Sequence, residues 1–174
     1  MAAVQESSGE ITNRVAQSSL VTFNLEDHYT SGKRLVLDIA PWLHESFILM
    51  EKPFRMALKN HDWSQYKDAY VAMYCSTDAI VPAWAYMLVS SYLQGHAKSV
   101  VQGDLMQLET QLYQQTLQAL DVSFLQDKAV IIKGCTQKPV PPNAYIWATL
   151  KLQSVAKSIM YGEACSAVPL FKRQ

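Results

Sequence analysis

The second half of the chain alternates short apolar runs with longer stretches that carry apolar residues at helical spacing. Short apolar runs bounded by turn residues are typical of buried strands. The pattern predicts strands over Tyr70–Tyr74, Lys98–Gln102, Lys128–Lys133 and Ser158–Tyr161, and a last strand over Val168–Phe171 that it allows to be antiparallel. Strands alternating with helices of this length indicate a parallel sheet with right-handed crossovers.

Three helices fill the gaps between these strands. Asp78 is predicted to cap a buried helix that continues through Leu93. Asp104 is predicted to cap the next helix, with Gln107 completing a capping box. Two consecutive prolines and Asn143 open a third helix that continues to about residue 158.

The first half of the chain has a different rhythm. Alternating apolar residues predict strands over Leu20–Glu26 and Arg34–Ile39, which the turn-rich loop around Ser31-Gly32 joins as a hairpin. Ser46–Met50 is a candidate third strand, and Pro53 is placed to start a short helix over Phe54–Asn60. The whole pattern predicts a three-layer α/β domain with a mixed, mostly parallel sheet and an added antiparallel hairpin.

Length and charge narrow the class of protein. A chain of 174 residues, about half of them apolar, fits one domain over residues 1–174, with residues 1–10 expected to be disordered. Fifteen basic and fifteen acidic residues give no net charge, which argues against nucleic acid or an anionic membrane as partner. The longest apolar stretch, Ala79–Val89, is far shorter than the roughly 20 residues of a bilayer span. Without a secretory signal at its start, the chain is expected to be cytoplasmic.

The three cysteines, Cys75, Cys135 and Cys165, are the residues most suggestive of chemistry. An odd number cannot all pair as disulfides, and cytosolic thiols stay reduced. Each cysteine follows the end of a predicted parallel strand, so all three are expected at one edge of the sheet, where open α/β sheets bind ligands. Plain packing is the competing interpretation, because a lone cysteine is usually buried and inert, and no C-x-x-C pair marks a metal site.

Strand order decides whether the thiols can meet. Neighbouring strands lie about 4.8 Å apart, whereas thiolates on one zinc ion lie roughly 3.7–3.8 Å from each other. Numbered in chain order, the four predicted parallel strands separate Cys75 from Cys135 if they lie in the order 1-2-3-4. In the order 2-1-3-4 the three strands that lead to the cysteines are consecutive. We therefore expect a flavodoxin-like winding, with the switch point between the strands that lead to Cys75 and Cys135.

Cys75 has a further expected property. It precedes the helix predicted to begin near Asp78, and a helix amino end would lower the pKa of its thiol. Asp78, Asp104 and Glu163 are expected at the same edge, where any of them is a candidate oxygen ligand or general base. The chain contains no G-x-G-x-x-G, G-x-x-x-x-G-K-[ST] or G-x-S-x-G motif, so nucleotide binding through a standard loop is not indicated.

Several segments resemble a known family. The most distinctive is Cys75-Ser-Thr-Asp-Ala-Ile-Val-Pro-Ala-Trp-Ala-Tyr-Met87, followed by Asn13–Ala16, Lys133-Gly-Cys135 and Ser158–Glu163 with Cys165-Ser166. Glu51-Lys52 with Phe54-Arg55, and Asp62-Trp63-Ser64 with Tyr66, match as well. Together they resemble domain-of-unknown-function family 2480 over nearly the whole chain. The resemblance implies a bacterial, cytoplasmic protein without an established activity. It also implies a link to iron–sulfur cluster assembly, beside whose genes such proteins are often encoded.

Three functions stay open at this stage. In the first, Cys75, Cys135 and Cys165 bind zinc, iron or an iron–sulfur cluster, with Asp78, Glu163 or an exogenous group in the fourth position. In the second, Cys75 is the nucleophile of a thiol enzyme, assisted by Asp78 or Glu163. In the third, the protein is an interaction module with structural cysteines. Iron–sulfur assembly proteins are candidate partners, and a homodimer is the default oligomer.

Overall fold

The computed structural model describes residues 20–134, 137–163 and 166–174. These residues form seven strands and four α-helices. In chain order they are β1 (Leu20–Asn24), β2 (Arg34–Asp38), α1 (Glu51–Asn60), β3 (Tyr70–Tyr74), α2 (Ala83–Leu93), β4 (Ser99–Gln102), α3 (Leu105–Ala119), β5 (Ala129–Lys133), α4 (Pro142–Gln153), β6 (Ser158–Tyr161) and β7 (Val168–Lys172). The predicted α/β class, with mostly parallel strands and an added antiparallel pair, is confirmed.

The chain forms two compact units. The larger unit contains Asn24–Leu120 and Gly134–Ala148, and the smaller unit contains the remaining described residues. The assignment of the whole chain to one domain stays a prediction, and the expected disorder of residues 1–10 lies outside the described residues.

The larger unit is built on a parallel sheet in the order β2-β3-β4. Leu37, Val71 and Met73 share a cluster with buried residues of α1 and α2. Ala72 points to the opposite face, where it packs against Leu108 and Leu112 of α3. Because side chains alternate along a strand, the sheet has α1 and α2 on one face and α3 on the other.

The smaller unit is built on a four-stranded sheet in the order β1-β5-β6-β7. β5 and β6 are parallel, with Ile132 opposite Tyr161, and β7 is antiparallel to β6. The antiparallel orientation anticipated for the last strand is confirmed. Val130, Ile131 and Ile132 are all buried, as expected for a strand covered on both faces.

Two predictions about strand pairing are wrong. β1 and β2 do not form a hairpin, because they lie in different sheets and β2 pairs in parallel with β3. The order 2-1-3-4 within one sheet is also wrong, since β3 and β4 lie in one sheet whereas β5 and β6 lie in the other. Alternation of apolar residues marks a strand but does not choose its partner, which depends on contacts distant in sequence.

The predicted strand over residues 46–50 is a tight turn instead. A single antiparallel bridge joins His44 to Ile48. Glu45 and Ser46 have φ angles of 51° and 62°, in the left-handed region, and two such residues in succession interrupt an extended strand. The helix that follows begins at Glu51, so that Pro53 lies in its first turn, where a missing N–H costs nothing.

Candidate functional site

The carboxyl ends of β2, β3 and β4 meet at one edge of the larger unit, and this edge carries the predicted Cys75 site. Asp38 ends β2 opposite Tyr74, the last residue of β3, and Cys75 follows directly. The backbone N–H of Gly103, just after β4, donates to the carbonyl of Met73 at 2.8 Å. The sequence thus places Cys75 correctly, at the end of a parallel strand.

The carboxylate of Asp38 organises the loop after β3. Its Oδ1 accepts hydrogen bonds from the backbone N–H groups of Ala40 and Ser76, both at 3.0 Å, and its Oδ2 accepts from Ser76 Oγ at 2.6 Å. Burial alone would raise the pKa of Asp38, but these three donors outweigh it and hold that pKa below its ordinary value. Asp38 is therefore an ionised anchor for the residues beside Cys75.

Cys75 is half-buried, and its polar neighbour is a threonine hydroxyl. Thr77 Oγ1 donates its hydrogen to the carbonyl of Ser46 at 2.6 Å. The same oxygen lies 3.4 Å from Cys75 Sγ. Because the single hydroxyl hydrogen of Thr77 is donated to Ser46, its oxygen is the acceptor in the contact with the Cys75 S–H.

Tyr86 of α2 completes the surroundings of Cys75. Burial raises the pKa of Tyr86, and the negative charge of Asp38 acts in the same direction. The phenol therefore stays protonated beside the thiol and keeps a hydrogen that it can donate.

Asp78 does not cap α2, which corrects the sequence prediction. The helix begins at Ala83, with Pro82 in the capping position. A residue before proline is disfavoured in helical conformation, so the helix cannot pass through Val81. Cys75 is eight positions from the first helical residue, so it does not directly precede the amino end of α2 as the sequence predicted. Asp78 is exposed instead and lines a surface groove with Phe47, Ile80 and Trp84.

Asp104 behaves as predicted. Its side chain accepts from the N–H of Gln107 at 2.8 Å, and the Gln107 amide oxygen accepts from the N–H of Asp104 at 2.8 Å. This capping box starts α3 and engages the Asp104 carboxylate in a structural role.

The other two cysteines, Cys135 and Cys165, lie outside the described residues. In the sequence, Cys135 comes two positions after β5, and Cys165 comes four positions after β6. β5 and β6 are neighbouring parallel strands, and the N–H of Gly162 donates to the carbonyl of Ile132 at 3.2 Å where they end. Glu163 lies at this edge, and its carboxylate pairs with Lys133 Nζ at 2.8 Å.

Described contacts fix the chain on both sides of position 135. Glu26 Oε1 accepts from the backbone N–H groups of Gln137 and Lys138, at 2.8 and 2.9 Å. On the preceding side, a methyl group on Gly134 would coincide with the hydroxyl of Tyr145, so only glycine fits there without displacing that ring. Glu26 and Tyr145 are site-supporting residues that the sequence did not indicate.

The sequence also did not indicate Asp38 and Thr77, which contact Cys75 or the residue next to it. Asp38 differs from many surface aspartates only in ending a strand, as Cys75 does, and that position was the one available signal. Among the residues in the described ranges, no group of three or more His, Cys, Asp and Glu side chains is arranged to hold a metal ion. No helix within those ranges is long and apolar enough to cross a membrane.

A family comparison adds one finding. The model of the family described as Protein of unknown function (DUF2480) matches residues 9–173. The chain belongs to this family. The match covers both compact units and includes all three cysteines. No curated protein and no solved structure matches the chain.

Proposed function

We propose that the chain is a cytoplasmic metal-binding protein of iron–sulfur metabolism whose ligands are the thiolates of Cys135 and Cys165 and the carboxylate of Glu163. Cys75 is not included in this ligand set, because β3, the strand that leads to it, lies in the other sheet. The observation that carries the proposal is the pairing of β5 with β6, two neighbouring parallel strands whose carboxyl ends lead into Cys135 and Cys165. Glu163 supplies a carboxylate at the same edge. Thiolates with one carboxylate suit zinc or iron.

The contacts around position 135 support a defined site. Glu26 holds the two backbone N–H groups that follow this segment, and Tyr145 packs so close to Gly134 that a side chain has no room there. Loops that a scaffold positions in this way are where proteins often carry binding residues. A bound metal would supply Lewis-acid or electron-transfer chemistry, and iron–sulfur assembly proteins are the partners that fit such a centre. The odd number of cysteines fits a reducing compartment, in which thiols stay free to bind metal.

The test is metal content and the visible spectrum of protein purified without oxygen. We expect bound zinc or iron in the unaltered protein, and a strong loss of it in the Cys135→Ser and Cys165→Ser variants. Glu163→Gln should weaken metal retention, whereas Glu51→Gln, which alters an exposed glutamate of a similar ion pair, should not. Metal-free, colourless protein would refute the proposal.

The second candidate is a thiol-dependent enzyme with Cys75 as nucleophile and Asp78 as its assisting group. The half-buried position of Cys75 at the carboxyl edge of a parallel sheet favours it, and Tyr86 is a suitable proton donor there. The hydroxyl of Thr77 disfavours it, because its hydrogen is donated to the Ser46 carbonyl and not to the sulfur. The rate of Cys75 alkylation measured against pH tests this candidate, since an activated nucleophile would titrate well below the free-thiol value of about 8.5.

The third candidate is an interaction module with structural cysteines. Such a protein would retain its cellular activity when all three cysteines are replaced by serine.

A further inference from the structure

One face of the larger unit exposes large apolar side chains side by side. Ile80 is 94 % exposed, Met87 71 %, Phe47 58 % and Ile48 56 %. We call this surface, together with Trp84, the apolar face. Two shallow grooves of about 510 and 490 Å³ run across it, and they are continuous because Glu51 and Trp84 line both. Single exposed apolar residues need no explanation, whereas the largest contiguous apolar patch of a protein is often a functional surface.

The exposed area is sufficient for a stable interface. These side chains expose on the order of 500 Å² of apolar surface, at the upper end of what ordinary monomers show. Homodimer interfaces are roughly 65 % apolar. An apolar area of about 500 Å² on each subunit therefore corresponds to a total buried area of about 800 Å² on that subunit. This equals the contribution of one subunit to a standard-size interface.

The charges of this face are of both signs. Asp78 and Glu51 line the first groove, and Arg55 and the same Glu51 line the second. Arg55 pairs with Glu51 at 2.9 Å, but both side chains are about half exposed, and such a helix-surface pair is weak enough to rearrange. A partner of one charge sign would satisfy only one end of the face. A two-fold axis satisfies both, because Asp78 of each copy meets Arg55 of the other.

We propose that the occupant of the apolar face is a second copy of this chain, in a two-fold dimer centred on Ile80 and Met87 with reciprocal Asp78–Arg55 pairs at its rim. The apolar centre supplies the affinity, and the charge pairs set the register. The proposal is independent of the cysteine site, so a protein with all three cysteines replaced by serine should still dimerise.

Sedimentation of the full chain across a wide dilution series tests the dimer. We expect a dimer for the unaltered protein and a monomer for Ile80→Asp, whose side chain is too exposed to affect folding. Phe124→Asp is the matched control, since Phe124 is 56 % exposed in the smaller unit and should leave the dimer intact. A monomeric unaltered protein, or a dimer that Ile80→Asp leaves unchanged, overturns the proposal.

A charge exchange tests the register. Asp78→Arg and Arg55→Asp should each raise the dissociation constant roughly tenfold, because each places like charges opposite one another. The double variant should restore most of the affinity, as opposite charges face each other again. If the double variant is as weak as the sum of the two single changes, the reciprocal pairing is wrong.

Discussion

The guanidinium of Arg34 holds the carboxylate of Glu109 by two hydrogen bonds, Nε to Oε1 at 2.7 Å and Nη2 to Oε2 at 3.1 Å. The two side chains are only 12 % and 5 % exposed. Arg34 also donates to the carbonyls of Thr30 and Gly32, and its guanidinium lies 4.4 Å from the centre of the Tyr29 ring. Arg34 thereby joins β2 to α3, and its guanidinium donates hydrogen bonds both to the Glu109 carboxylate and to backbone carbonyls.

Removal of Glu109 should be strongly destabilising. Glu109→Ala leaves the buried Arg34 charge without its carboxylate, and breaking a buried pair in this way costs about 3–5 kcal/mol of unfolding free energy. Urea unfolding measures the loss. The control is Glu51→Ala, which breaks the exposed pair with Arg55 and should cost less than about 0.5 kcal/mol. Equal losses in the two variants would contradict this account of the buried pair.

Tyr113 presents the opposite case, a buried hydroxyl that forms no hydrogen bond with any residue in the described ranges. Burial, with the nearby Glu109 charge, raises the pKa of Tyr113 to about 12. Tyr113→Phe removes only the unpartnered oxygen, so we expect stability to change by less than about 0.5 kcal/mol or to rise. Tyr66→Phe removes a hydroxyl that lies 3.2 Å from His61 Nε2 and should cost about 1 kcal/mol. A larger loss for Tyr113→Phe would indicate a hydrogen-bond partner for it.

The stability of the larger unit should decline in mild acid. Burial lowers the pKa of His61 below 6.5, against the opposing effect of Asp62, and the ring packs edge-on against Trp42 and Trp63. The unfolded chain therefore binds protons more readily than the folded one. The contribution of neutral His61 to the stability of the folded protein is fully present above about pH 6.5. It is lost as the pH falls through the lower pKa that His61 has in the folded state.

Unfolding free energies measured between neutral and mildly acidic pH check this sign. His61→Gln should flatten the dependence on pH. His28→Gln should remove a further part of the pH dependence of the unfolding free energy, because burial lowers the pKa of His28 as well. An NMR titration that places the pKa of His61 above 6.5 would contradict the prediction.

Asp38 should control access to Cys75. Asp38→Ala removes three hydrogen bonds from the residues at the ends of β2 and β3, so the Cys75 thiol should react several-fold faster with iodoacetamide. Asp62→Ala is the matched control, because Asp62 accepts from the N–H and hydroxyl of Ser64 in a similar arrangement elsewhere in the unit. Unchanged reactivity in Asp38→Ala would show that the loop does not depend on this carboxylate.

Features that depend on neighbouring residues could be predicted from the sequence. The capping box of α3 needs only Asp104 and a glutamine three positions later, and the buried β5 needs only its continuous apolar run. The position of Cys75 at a strand end follows from the same local pattern. In contrast, the capping preference of Asp78 predicts a start of α2 that is too early. Pro82 disfavours helical conformation at the residue before it, so the helix begins only at Ala83.

Features that depend on distant contacts could not be predicted. The pairing of β2 with β3 rather than β1 is not encoded in the alternation of Leu35 and Leu37, which would suit either partner. Asp38 becomes an anchor only because this pairing brings Ser76 to it from 38 positions away. The position of Cys75 after a parallel strand could therefore be predicted from the sequence, but the residues that surround it could not.

The hydroxyl of Thr77 couples two surfaces that otherwise have separate roles. It holds the turn that presents Phe47 and Ile48 to the apolar face, and it also contacts the sulfur of Cys75. One oxygen atom thus serves both surfaces. Thr77→Val should therefore loosen the turn and uncover the sulfur together, even though the sheet itself is untouched.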